Sequence, residues 1–180
     1  MSTATTPFAG LTTGEWTIDP SHTEVAFVAR HLMVTKVRGR FTDVSGTITV
    51  AEPIAESRAE VRIAIDSVAT GNADRDTHLR SGDFFDAESF PAMTFVSTAF
   101  DGDTLTGDLT IKDVTKPVVL DVEFGGSVTD PWGNAKAGFE ASATINRTDW
   151  GLGWNVALET GGVMVSEKVQ LVLDVQLVKA

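Results

Sequence analysis

Apolar and polar residues alternate along most of this chain, the period-two signature of half-buried strands. Val61, Ile63 and Ile65 alternate with Glu60, Arg62 and Asp66. Met93 and Phe95 alternate with Thr94 and Val96, and Leu105, Leu109 and Ile111 line one face of the next run. Val118, Leu120, Val122 and Phe124 alternate with Val119, Asp121 and Glu123. Ala137, Phe139, Ala141, Ala143 and Ile145 share a face, and Val169, Leu171, Leu173, Val175 and Leu177 close the chain. With residues 16–19, 25–29 and 41–50, the pattern predicts about eight or nine strands. Turn residues separate them: DGD at 101–103, GG at 125–126, DPWGN at 130–134 and GG at 161–162. One helix is expected over 72–80, with Asn72 as its cap and acids in its first turn. A single 3₁₀ turn is expected near Thr148–Gly151. No strand–helix–strand spacing appears, so the sheet is expected to be antiparallel.

Strands of even length joined by tight turns fit either a sandwich or a barrel. Two features favour the barrel. The chain has no cysteine, hence no cysteine pair bracketing a tryptophan as in immunoglobulin sandwiches. Residues 25–29 are apolar on both faces, as expected where one face lines a cavity and the other packs on a helix or a partner chain. An eight-stranded barrel is wide enough for side chains or one slim ligand.

Composition narrows the function classes. The 180 residues suit one domain with a real core. Net charge is −11, which argues against wholesale nucleic-acid binding and against general attraction to anionic membranes. No run approaches the length of a membrane helix, so no stable insertion is expected. The opening MSTATTPFAGLTTG has no basic start and no apolar run. It reads as a flexible tail, residues 1–13, ahead of a domain over 14–180, and the expected location is cytoplasmic.

Two stretches carry chemistry. Residues 74–95 set a charged helix (Asp74, Arg75, Asp76, His78, Arg80) against Phe84, Phe85, Phe90 and Phe95. Residues 18–41 hold an apolar strand that ends in Arg30, His31, Lys36, Arg38 and Arg40 with no acid among them. Both place cationic groups beside apolar surface, which suits a long apolar molecule with an anionic head. His22, His31 and His78 show no metal-ligand spacing, so no metal site is expected. His22 is expected to bond within the Asp19-Pro20-Ser21 turn. His31 is expected at a cavity mouth, and His78 beside neighbouring acids. Asp74 and His78 are four apart on the helix and within reach of each other, half of a catalytic triad with no serine presented to it. There is no G-x-S-x-G elbow and no phosphate-binding glycine motif.

Several motifs occur in order: W-x-I-D-x-x-H-T from Trp16, F-x-x-R-H-x-M-V-x-K-V-R-G-R-F from Phe27, DRDTHLRSGDFFDAESFP over 74–91, GDLTIKDVTKPV from Gly107 and INRTDWGL from Ile145. In these the chain resembles the YceI-like family, the lipocalin-like polyisoprenoid-binding proteins, from about Glu15 to its end. The resemblance implies an all-β fold, a lipocalin-like eight-stranded antiparallel β-barrel with a short helix. It implies an apolar pore holding an isoprenoid or other long-chain amphipathic lipid, with no cofactor, and a homodimer. Many members are exported; here the opening residues have no basic start and no apolar run, so export is not expected. From strand position and resemblance together, the expected pore residues are Phe27, Ala29, His31, Phe85, Phe95, Leu109 and Trp150. Arg38, with Arg30, Lys36 and Arg40, is expected to meet the head group. The expected function is a non-catalytic lipid carrier. The alternatives are a hydrolase or isomerase of a lipid-like substrate built on Asp74–His78, and an interaction module with a filled barrel.

Overall fold

Alternation becomes architecture in a closed antiparallel barrel. The computed structural model describes residues 7–32, 34–155 and 165–180; the turn expected at 161–162 lies outside them. The strands are β1 (Gly14–Ile18), β2 (Glu24–His31), β3 (Thr35–Phe41), β4 (Val44–Val50), β5 (Arg58–Ala64), β6 (Val68–Ala69), β7 (Ala92–Phe100), β8 (Thr104–Ile111), β9 (Val114–Thr129), β10 (Ala135–Asn146) and β11 (Lys168–Lys179). One helix, α1 (Ala73–Arg80), falls between β6 and β7.

Eight strands close the ring in the order β1-β4-β5-β7-β8-β9-β10-β11, and β11 returns to β1 with Trp16 opposite Lys179. The remaining three continue strands already in the ring. β2 follows β1 along β11, with Phe27 opposite Leu171. β3 pairs with β2, and β6 pairs with β3. Thus β1 and β2, β3 and β4, and β5 and β6 are single strands bent in the middle, and the barrel is an eight-stranded up-and-down meander in sequence order.

Two of the three bends are made by 3₁₀ turns. Between β1 and β2, Pro20 cannot donate to a ladder, and a 3₁₀ turn forms over Pro20–His22. Asp19 fixes that turn by accepting from Ser21 N at 3.1 Å, Ser21 Oγ at 2.7 Å and Gln176 Nε2 at 3.2 Å. His22 Nδ1 lies 2.9 Å from Asp19 Oδ2, the oxygen that Gln176 also meets, as expected for this turn. These bonds, Ser21's first, hold the Asp19 carboxyl well below the usual carboxylate range. Between β5 and β6, a 3₁₀ turn over Ile65–Ser67 buries Ile65.

Helix α1 has no apolar stripe; capping and a buried polar network hold it. Asn72 Oδ1 accepts from Arg75 N at 3.0 Å. Asp76 is buried and accepts from Thr70 N at 2.9 Å and Thr70 Oγ1 at 2.5 Å. Arg75 returns to Thr70 O and Oγ1, each at 2.7 Å. The helix and the 81–91 loop close one end of the barrel. At the other end part of the expected flexible tail is packed: Leu11 is 3% exposed, and Phe8 lies 5.0 Å from Phe124 and 5.8 Å from Phe139, ring centre to ring centre. A greasy barrel mouth gives those two side chains a better place than water.

Candidate functional site: an apolar barrel cavity

The inward faces of the strands enclose a cavity of about 630 Å³. Its wall is almost entirely aliphatic and aromatic, with Val25, Phe27 and Ala29 from β2, Met93 and Phe95 from β7, Leu109 and Ile111 from β8, and Leu171, Leu173 and Val175 from β11. Two glycines keep the lumen open by letting rings lie against the sheet. A Cβ on Gly39 would stand 2.2 Å from Phe27 Cζ, and one on Gly107 would stand 2.3 Å from Phe95 Cζ. Each ring therefore covers a bare stretch of neighbouring strand instead of crossing the bore.

Most of the polar wall residues stand at the α1 end, Arg30, His31, Asp74, Arg75, His78 and Arg147, while Thr23, Ser57 and Arg58 stand away from it. Arg147 is 5% exposed and is held entirely by backbone carbonyls. Its Nε donates to Ser166 O at 2.9 Å, one terminal nitrogen to Trp154 O at 3.0 Å and to Leu152 O, and the other to Val165 O at 3.2 Å. Its guanidinium lies 5.8 Å from the centre of the Phe84 ring. Burial lowers its pKa, and the charge of Glu167 opposes that shift. The site therefore holds a desolvated cation that ties residues 152–154 to residues 165–166. His78 packs edge-on to Phe84 and Trp154, with ring centres 5.1 and 4.6 Å away.

Of the residues expected from sequence, Phe27, Ala29, His31, Phe85, Phe95 and Leu109 stand on the wall. Trp150 and Arg38 are not among the lining residues. Trp150 is core, pinned by a 2.8 Å bond from Nε1 to Leu109 O. Arg38 is excluded by strand alternation: Val37, Gly39 and Phe41 take the inner face of β3, so Lys36, Arg38 and Arg40 point into solvent. The expected Asp74–His78 pairing is also corrected. His78 Nε2 meets Asp83 Oδ2 at 2.9 Å, because the loop after α1 folds back under Ser81. Arg147 and Trp154 were not singled out as site residues by sequence reasoning. Arg147's only signal was its place in the INRTDWGL run, since its partners lie up to 19 residues away. Among the described residues no group of three His, Asp or Glu side chains is placed to hold a metal, and no helix is long and apolar enough to cross a membrane.

Comparison with known proteins agrees with this architecture. A YceI-like domain model matches residues 16–177. A UPF0312 protein of Staphylococcus epidermidis is 40% identical over 161 residues, 87% of this chain and 92% of its own length. The crystal structure of the Campylobacter jejuni YCEI protein is similar at TM-score 0.70 and 34% identity, covering 84% of this chain and 90% of that one. A polyisoprenoid binding domain from Saccharophagus degradans, implicated in plant cell wall breakdown, shares the fold at TM-score 0.65 and 16% identity, over 92% of this chain and 98% of its own. An eight-stranded meander around an apolar bore, the ordered motifs and the match over nearly the whole chain lead to one conclusion: this chain belongs to the YceI-like family.

Proposed function

We propose that the protein is a non-catalytic carrier of one long-chain amphipathic lipid, of isoprenoid type, with its tail in the barrel and its head among the polar residues at the α1 end. The cavity carries this reading. If a chain carbon takes about the 30 Å³ of a water molecule in the liquid, 630 Å³ holds on the order of 20 such groups. At about 0.8 kcal/mol for each methylene removed from water, their burial contributes roughly 16 kcal/mol. That exceeds the lower range of the association cost, about 4–15 kcal/mol. An apolar void of this size is also expensive to leave dry. At about 24 cal/mol per Å³ it costs on the order of 15 kcal/mol against a packed core, comparable to the whole stability of a domain. A bore this large is accounted for by an occupant.

His78 has a carboxylate partner in Asp83 and is flanked by two aromatic rings, but among the described residues no hydroxyl is hydrogen-bonded to its ring, so the pair is presented to no nucleophile. The head meets Arg30, His31, Arg75 and His78, and Arg147 adds positive potential from behind. The homodimer implied by the resemblance belongs to the same proposal, and sedimentation of the purified protein reads it.

Native mass spectrometry, followed by organic extraction, tests the carrier. A stoichiometric prenyl or long-chain species is expected, and Ala29→Trp, which places an indole in the bore, is expected to exclude it while leaving the fold intact. A protein that arrives empty and takes up no offered prenyl or fatty chain overturns the proposal.

A further inference from the structure

We propose that the β2–β3 hairpin docks the protein on an anionic lipid bilayer, so that the polar end of the cavity faces the membrane. This rests on the carrier reading and adds the surface from which the lipid is drawn.

The outer face of the hairpin is a cationic ladder. Register pairs Arg30 with Lys36, Val28 with Arg38, and Ala26 with Arg40. Three alternate rungs therefore present four exposed cations on one face, while the chain as a whole carries −11. The nearest ion pair lies at the far end of the ladder, Arg40 with Glu24 at 3.8 Å. At physiological salt, charges further apart than about 8 Å are largely screened. An approaching surface therefore senses the ladder locally and not the acidic remainder.

The tip is apolar. Leu32 is 42% exposed and Val34 74%, in a turn closed by Val34 N donating to His31 O at 3.2 Å. Leu32 sits at φ 53°, a left-handed conformation that a branched aliphatic residue rarely adopts. Glycine or asparagine would relieve that strain, and a side chain so exposed gains little from packing. An apolar side chain kept at a strained, solvated tip is explained by a partner that takes it out of water.

The tip also stands next to the mouth. His31 lies on the cavity wall one residue from Leu32, and Arg30, two residues away, is exposed at its rim. The same two residues are tied to the loop that Arg147 clamps: Ser166 N donates to Arg30 O at 3.0 Å, and His31 bridges to Val165. A contact at the tip thus acts on the segment beside the polar end. Between Thr35 and Gly39, β3 pairs with β2 alone. Lys36 and Arg38 would suffice to protect that free edge from pairing with another strand. Edge protection does not account for Leu32 and Val34, whereas a bilayer accounts for both the charges and the aliphatic tip.

The test is co-sedimentation of the protein with vesicles of phosphatidylcholine, alone or mixed equally with phosphatidylglycerol, at about 0.1 M and about 0.5 M salt. Binding is expected only to the anionic vesicles and only at the lower salt. Each basic side chain near such a surface contributes about fivefold in affinity, so Lys36→Gln with Arg38→Gln is expected to weaken binding about 30-fold. Leu32→Ser with Val34→Ser is expected to weaken it while the salt dependence remains. Trp132→Ser is the control: Trp132 is 84% exposed at the 130–134 turn, beyond the opposite end of the barrel, and its loss should change nothing. Equal binding by wild type and the Lys36/Arg38 variant overturns the proposal. So does binding to polyglutamate but not to anionic vesicles, which would make the partner an acidic protein. A second readout separates this proposal from the one beneath it. A fluorescent prenyl chain offered from cyclodextrin should enter the wild type and the Lys36/Arg38 variant alike, while uptake from anionic vesicles should be slower in the variant. Uptake from cyclodextrin without vesicle binding sinks the docking alone; no uptake from either source sinks the carrier.

Discussion

Arg147 is the most exacting test of how this barrel keeps one end shaped. Its guanidinium satisfies the carbonyls of Leu152, Trp154, Val165 and Ser166. Arg147→Met keeps much of the side-chain volume and removes every donor. A hydrogen bond to a charged group contributes about 1.5–3 kcal/mol, so four at the low end give about 6 kcal/mol. Relief from burying the cation offsets roughly 2–3 kcal/mol of that, leaving a net loss of about 3–4 kcal/mol. In a protein of this size about 1 kcal/mol moves the melting temperature by roughly 2–4 °C, so a fall of about 10 °C is expected by circular dichroism. Hydrogen exchange should quicken first at Gly151–Asn155 and Val165–Ser166. Arg147→Lys separates geometry from charge. A single ammonium cannot reach four carbonyls arranged around a planar fork, so it should lose most of the same stability. A melting temperature within about 2 °C of wild type for the methionine variant would refute the reasoning, because the carbonyls of Leu152, Trp154 and Ser166 would lose their donor at once, while Val165 O keeps Asn155 Nδ2 at 2.7 Å.

Three further outcomes follow from the same geometry. Gly39→Ala should drive the Phe27 ring into the bore, destabilising by about 1–3 kcal/mol and weakening uptake of a fluorescent chain; unchanged uptake would mean that the ring has another place to go. Leu11→Ala should cost about 2–4 kcal/mol in denaturant unfolding, whereas a free tail would cost nothing. Asp19→Asn should lower stability at neutral pH, and the gap from wild type should close in acid. Because its folded pKa is depressed, the Asp19 contribution is fully present above the unfolded value, about 3.9, and is lost as pH falls through the folded one. A gap that stays constant through that acid range in pH-dependent melts would contradict the assignment.

The features legible in the sequence were those set by neighbours along the chain. Alternation along 118–124 and 169–177 gave strands, and Asn72 announced α1, because pleat and cap are decided within a few residues. Barrel closure is non-local: even strands and tight turns left a sandwich open, and what pointed to the barrel was the absence of a cysteine pair and a stretch, 25–29, apolar on both faces. The distinction between wall and core was not legible. Phe95 and Trp150 both read as inward aromatics, and only the indole's bond to Leu109 O, from 41 residues away, takes Trp150 out of the bore. Arg38 was misplaced for a simpler reason. A cationic cluster read as one unit is divided by a period of two, leaving His31 inside and Arg38 outside. His78 does bond a neighbouring acid, as expected, but that acid is Asp83 and not the Asp74 that helical spacing puts within reach, because the loop returns after α1.

One feature of the closed ring bears on how the chain can be rearranged. Lys179 stands opposite Trp16, and Ala180 N donates to Glu15 O at 2.9 Å, so the first and last strands are neighbours in the sheet. Every other neighbouring pair in the ring is also consecutive along the chain once the bent strands are joined. The order of strands is therefore circular, and its starting point is arbitrary. A short linker from Ala180 into the segment that carries Phe8 and Leu11, with new ends opened at the exposed Asp101–Asp103 turn, would leave every ladder with its present partner. Such a circularly permuted chain should close the same barrel, with new ends available for fusion far from the β2–β3 hairpin.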